Sequence, residues 1–174
     1  MKKIIITYGL IAGLITMSFM IVSTVLWQMT DNFNQSMIIG FTGMLIAFIF
    51  IYVGIKTYRD KQNGGIITFW DAFKIGFFIA LIASSIYTIV WMIEFHFFIP
   101  DFMEKFADKA IEDYKTSNIG TAEMNKKVAE METMRENYKN PLMRIFYTFM
   151  EILPIGIVVS LISALILKRN PKVA

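Results

Sequence analysis

One acid lies inside an otherwise apolar stretch: Glu151, in FMEILPIGIV. A carboxylate placed in hydrocarbon is a functional-site candidate by default, because losing water must be offset by a partner, a proton or a cavity. Two kinds of chemistry fit. As an anchor, Glu151 needs a hydrogen bond, which water or Tyr147 one turn earlier could supply, helped by Arg144 two turns away on the same face. As a proton or cation site, it needs an ionisable group on a path. Glu151 precedes Lys168 by 17 residues, so it stands ~25 Å above that end of the helix. That depth favours the anchor. Pro154 follows shortly and is expected to kink the helix and free backbone carbonyls.

Other chemistry finds little material. His96, in EFHFF beside Glu94, is the single histidine, and there is no cysteine. A catalytic zinc needs three protein ligands, mostly His or Cys. No G-x-S-x-G context exists for a nucleophile, and no paired carboxylates stand at membrane depth. His96 reads as an interfacial residue. The sequence therefore predicts no catalytic residue, no metal, no cofactor and no enzyme. A net charge of +3 gives no reason to expect nucleic acid.

The elements that must position these residues are membrane helices. The 174 residues are 56% hydrophobic, with mean hydropathy +0.55, and the excess is concentrated in blocks. A core about 30 Å thick needs a helix of roughly 20 apolar residues. Four blocks qualify, at about 4–29, 37–55, 75–93 and 142–167. MKK followed by an apolar run could open a signal peptide. The run continues past the length of a signal core and no A-x-A site follows, so it reads as an uncleaved first span.

Charge gives orientation. Lys2 and Lys3 precede the first span, Lys56, Arg59 and Lys61 follow the second, and Lys168, Arg169 and Lys172 follow the fourth. The first connection, TDNFNQS, has no Lys or Arg. By the positive-inside rule both termini and the 56–74 loop are cytoplasmic. Trp27, Trp70 and Trp91 all fall near span ends, where amphipathic rings are stable.

KTYRDKQNGG, residues 56–65, is then a water-side turn. It lacks the spacing of a phosphate loop. Asn63-Gly64-Gly65 tolerates positive φ, and Thr68 with Asp71 fits an N-terminal cap that restarts a helix at Phe69.

The third connection, about 100–140, predicts an extracytoplasmic αα-hairpin. Phe102, Met103, Phe106, Ala107, Ala110, Ile111 and Tyr114 share one helical face; Met124, Val128, Met131, Met134 and Tyr138 share another. Ser117-Asn118-Ile119-Gly120 separates them, with Thr121 as the expected N-cap. Asn140-Pro141 starts the fourth span. The two faces either pack on each other or offer a protein partner an adaptable Met-rich surface.

Small residues recur four apart: Gly9 and Gly13; Gly43 and Ala47; Gly76, Ala80 and Ser84; Gly156, Ser160 and Ala164. Such faces let helix backbones approach in lipid. Gly40 falls at the end of its span, where it would only loosen the helix.

YGLIAGL, VGIKTYRDKQNGGIITFWDAFKIG, PDFMEKFADK and SLISALILKR together resemble the bacterial membrane-protein family called domain of unknown function 4199. The resemblance covers nearly the whole chain. It implies a four-span protein of the bacterial inner membrane and carries over no functional residue.

The sequence thus predicts an all-α membrane protein of four spans, N-in and C-in, with one extracytoplasmic hairpin. Its partners would be the lipid bilayer, a protein at the hairpin and a second copy of itself. A non-enzymatic scaffold or interaction protein fits best. A subunit of an oligomeric transporter or channel using Glu151 is the alternative.

Overall fold

The computed structural model describes residues 1–30, 33–117 and 119–169. The expectations placed on Asp31, Asn32, Asn118 and Lys172 lie outside the described residues. Among the described residues there are six helices: α1 (Lys2–Thr30), α2 (Phe33–Gln62), α3 (Phe69–Phe97), α4 (Phe102–Thr116), α5 (Thr121–Tyr138) and α6 (Pro141–Leu167). Four of them, α1, α2, α3 and α6, are long and apolar enough to cross a membrane. At 27 to 30 residues they measure roughly 40–45 Å, more than the hydrocarbon they must span. Their ends therefore run past the apolar blocks.

The largest such extension is at α2. Of the stretch read as a loop at 56–74, only 63–68 lies outside a helix, because α2 continues to Gln62. The hydropathy pattern marks where hydrocarbon ends, but Lys, Tyr, Arg and Gln sustain a helix well into water. The stop comes at Gly64 and Gly65, whose φ angles are +61° and +79°, a region open mainly to glycine. There the Gly65 N–H reaches back to the Arg59 carbonyl (2.8 Å).

The restart is a capping contact. The Asp71 N–H donates to Thr68 Oγ1 (3.1 Å), and the Thr68 hydroxyl donates to the Asp71 carboxylate (2.7 Å). Ile67 and Arg169 exchange two backbone hydrogen bonds of 3.0 and 2.8 Å, and Arg59 Nη1 donates to the Leu167 carbonyl (3.2 Å). The Arg59 bond satisfies a carbonyl that the C-terminus of α6 would leave without a partner, and the Ile67–Arg169 pair ties down the chain just beyond it.

The chain divides into two compact units. The first holds 1–89 and 149–174, the second 90–148. The first contains α1, α2 and most of α3 and α6. Its interior is lined by Ala12, Met44, Ala47, Phe48, Ile51, Ile75, Ile79, Ala80, Ile152 and Ala164, all nearly inaccessible. Its outside is apolar too, with Leu14, Leu45, Ile89, Val158 and Ile166 exposed, as expected where lipid is the solvent.

The second unit holds α4 and α5. Met103, Ala107, Ile111, Met131 and Tyr138 form its buried core, and Phe106, Ala110, Tyr114, Val128 and Met134 pack on it. The two predicted apolar faces therefore pack into one core. One detail differs from the reading of the sequence. Thr121 is the first helical residue and not the cap; Gly120 holds the cap position without a side-chain bond. Its extended backbone (φ −59°, ψ 146°) presents a carbonyl to the Met124 N–H (2.9 Å), so the ladder starts one residue earlier. At α6 the Leu142 N–H donates to Asn140 Oδ1 (2.9 Å), with Pro141 in the first helical position.

Candidate functional site

α6 has two unlike faces. Ile152, Gly156, Ser160 and Ala164 are buried at spacing four. Glu151, Pro154, Val158, Leu161 and Leu165 are exposed at spacings of three and four. The helix is continuous through Pro154. The buried face is shaped for backbone approach. A Cβ on Gly156 would lie 2.7 Å from the Ala80 Cβ and 3.1 Å from the Phe48 ring; one on Gly76 would lie 2.9 Å from the Ser160 Cβ. Those spaces admit only hydrogen.

Glu151 sits on the other face. It is exposed on the helix surface and has no hydrogen bond or ion pair to any described residue. Ten residues, roughly 15 Å, separate it from the start of α6, so it lies well inside a membrane-length helix. The partners expected for it are engaged elsewhere. The Tyr147 hydroxyl accepts from Asn137 Nδ2 (3.2 Å). Arg144 is only 8% exposed. Its Nε and Nη2 both donate to the Tyr138 carbonyl (3.3 and 3.0 Å), and its guanidinium carbon lies 3.5 Å from the centre of the Phe95 ring. Of the two anchors expected for Glu151, water and Tyr147, the bond to Tyr147 is not made, and neither is the contact with Arg144. A planar guanidinium stacks on an aromatic face more readily than it crosses two helical turns to a carboxylate.

The other small residues make close contacts as well. A Cβ on Gly9 would lie 2.8 Å from the Ile82 Cβ; Gly13 faces Ile86 and Gly43 faces Phe19. Gly40 meets only Ser23 Oγ, at 3.8 Å. Ser84 is fully buried, and its Oγ has no hydrogen-bond partner among the described residues. Gly54 is a contact the sequence reading missed: a Cβ there would lie 2.7 Å from Ile79. The available signal was its place two turns beyond Ala47, in line with Gly43 and Ala47.

The loop residues do not converge on a site. Lys56 and Lys61 are exposed, and Arg59 pairs with its neighbour Asp60 (2.6 Å). His96 is exposed, with its ring edge-on to Phe97 (4.6 Å). Among the described residues no three His, Cys, Asp or Glu side chains could share a metal ion.

The second unit contains a polar node that sequence spacing did not suggest. Trp91 Nε1 donates to the Tyr138 hydroxyl (2.7 Å), and the Trp91 ring meets Phe102 edge-on (4.8 Å). Tyr138 stacks with Tyr147 (6.2 Å) while its carbonyl takes the Arg144 bonds. Nearby in α5, Arg135 contacts Glu104, Asp108 and Glu132. Trp91, Tyr138 and Arg144 thus bond to one another as a structural joint, while the buried Arg135 Nε has only the Glu104 ion pair and no hydrogen bond among the described residues.

A family model described as protein of unknown function (DUF4199) matches residues 7–169. No curated protein and no solved structure matches the chain. The match covers nearly the whole chain, which belongs to that family.

Proposed function

We propose that this chain is a multi-pass protein of the bacterial inner membrane that works by binding other protein rather than by catalysis. Glu151 carries the reading. It is an acid within a membrane-length helix, turned outward, with no hydrogen-bond or ion-pair partner among the described residues. An ionised side chain inside a span is costly, up to about 2.5–3.5 kcal/mol at the centre and less toward either edge. A helix that keeps such a group on its outer face has something to bring it into contact with. The basic clusters at Lys2–Lys3, Lys56–Lys61 and Lys168–Arg169 support cytoplasmic termini and an extracytoplasmic hairpin.

The test is a photoreactive amino acid placed at Val158, exposed two turns from Glu151 on the same face, and irradiated in native membranes. A discrete protein adduct is expected there and none at exposed Leu45 in α2. Labelling by lipid alone at both positions would end the interaction reading. Orientation is read with single cysteines and an impermeant thiol reagent on intact cells. Ser117→Cys should react and Lys61→Cys should not; the reverse pattern inverts the topology.

The same observation favours one second reading, a subunit of an ion or solute conduit that uses the carboxyl of Glu151. Glu151→Gln separates the two. An amide still hydrogen-bonds, so binding survives it. An amide does not titrate, so conduction of protons or cations does not.

A further inference from the structure

We propose that the end of unit one where α1 starts, α2 stops, α3 starts and α6 stops is a seat for anionic phospholipid headgroups, with Lys3, Lys56, Lys74 and Lys168 as their counter-charges. The proposal does not depend on Glu151, nor on which side of the membrane this end faces.

The apolar blocks supply the first observation. Each ends directly at a lysine: Lys3 before Ile4, Lys56 after Ile55, Lys74 before Ile75 and Lys168 after Leu167. All four lysines are exposed. At their other ends the same blocks meet Thr30, Ser36, Glu94 and Pro141. Every span therefore leaves hydrocarbon at a cation on one side and at none on the other. A lysine at that boundary keeps its ammonium among the headgroups while its stem covers apolar surface. Orientation alone asks only for an excess of basic residues near span ends. It does not require one at each boundary.

The fold supplies the second observation, because it gathers these four ends. The Met1 amino group donates to Gln62 Oε1 (3.2 Å), and the Tyr8 and Thr57 hydroxyls lie 3.0 Å apart. Arg59 bonds the end of α6, and Ile67 pairs with Arg169 just beyond it. The charges thus add at one rim.

Pairing supplies the third. The acids at this end are Asp60 and Asp71, and both are taken. Asp60 accepts from Arg59 Nε and Nη2 (2.6 and 3.2 Å), and Asp71 accepts from the Thr68 hydroxyl. The four lysine side chains make no hydrogen bond or ion pair among the described residues. Like charges gathered at a low-dielectric boundary repel one another, and lipid phosphates are the anions that lie at that depth. Trp70 is exposed one turn before Lys74, where an amphipathic ring sits well at headgroup level. No pocket is required, since headgroups reach each lysine from the bilayer itself.

The full chain, purified in a neutral detergent, is melted with added phosphatidylglycerol or with phosphatidylcholine of the same acyl chains. The anionic lipid should raise the melting temperature by several degrees more than the zwitterionic one, and about 0.5 M salt should remove the difference. Combining Lys3→Gln, Lys56→Gln, Lys74→Gln and Lys168→Gln should raise the phosphatidylglycerol needed for half the effect roughly tenfold or more, since each cation at an anionic surface contributes about fivefold. Combining Lys105→Gln, Lys109→Gln, Lys115→Gln and Lys126→Gln, all exposed on the hairpin, removes the same charge elsewhere and should leave that titration unchanged. Equal stabilisation of the wild type by both lipids, or a difference indifferent to salt, would overturn the proposal without recourse to any variant. So would an unshifted titration in the rim variant, or an equal shift in the hairpin variant, which would reduce the effect to net charge. None of these results bears on the photo-adduct at Val158, so the two readings fail separately.

Discussion

The two units of this chain are built from the same element, yet they are held together by different forces. Unit one, with residues 1–89 and 149–174, is apolar inside and out. Its helices would gain nothing by exchanging lipid for each other, so contact depends on shape. That is why Gly9, Gly13, Gly43, Gly54, Gly76 and Gly156 all stand against side chains with no room for a Cβ. In unit two, residues 90–148, the α4–α5 hairpin is apolar inside and charged outside. Its core of Met103, Ala107, Ile111, Met131 and Tyr138 is what the hydrophobic effect selects in water. Around it run the pairs a water-facing helix carries, such as Lys105 with Asp101 and Lys109 with Asp113. In unit one a large residue in place of a small one is the damaging change; in unit two it is a small residue in place of a large one.

The sharpest way to break this comparison is to truncate the hairpin core. Ile111→Ala and Met131→Ala each remove a side chain about nine-tenths buried. Both lose transfer free energy as well as contacts, and each should cost about 2–5 kcal/mol. Hydrogen exchange of α4 and α5 in detergent would report it as earlier opening of both helices. Protection unchanged from the wild type would mean the hairpin is not held by its core. Next in size are Gly13→Leu and Gly156→Leu in unit one. Forcing side chains into filled space costs about 1–3 kcal/mol, read as a lower melting temperature in detergent. Gly120→Leu is the control in unit two, since nothing lies within 4 Å of a Cβ there. If Gly120→Leu melts as early as Gly156→Leu, close approach is not what singles out the membrane glycines.

Much of this contrast was legible in the sequence. The spans follow from hydropathy because lipid forbids unpaired backbone over a fixed thickness. The small residues were legible because spacing four keeps them on one face. Helix ends were less so, since α2 ends at Gln62 where backbone chemistry stops it and not at Ile55 where hydrocarbon does. The direction of Glu151 could have been deduced. It precedes Gly156 by five residues, which places it about 140° around the helix from the Gly156–Ser160–Ala164 face. A bond to Tyr147 was the wrong inference, because spacing shows which residues can meet on one helix and not which partner from another helix arrives first. Asn137 and Tyr138, both in α5, engage Tyr147 and Arg144. No local pattern announces that contact, nor the burial of a lone Arg near the start of a span.

The smallest expected effect tests whether the charged outside of unit two behaves as a water-facing surface. Asp101 precedes α4, and Lys105 donates to its Oδ2 at 2.8 Å. That hydrogen bond holds the Asp101 carboxyl below its ordinary value of 3.8. A carboxyl lowered in the folded state stabilises the fold at every pH above the ordinary value. It loses that contribution as pH falls from about 3.8 through the lowered folded value. Both side chains are more than half exposed, so solvent screens the pair strongly. An i,i+4 acid–base pair of this orientation is worth about 0.2–0.5 kcal/mol. Asp101→Asn should therefore lower the protection of α4 amides slightly at neutral pH. The gap between variant and wild type should close below pH 3.8 and narrow at high salt, as exposed pairs do. A gap that persists in acid would mean that Asp101 acts through its shape at the start of α4 and not through its charge. A gap indifferent to salt would mean that this side of the hairpin is shielded from water.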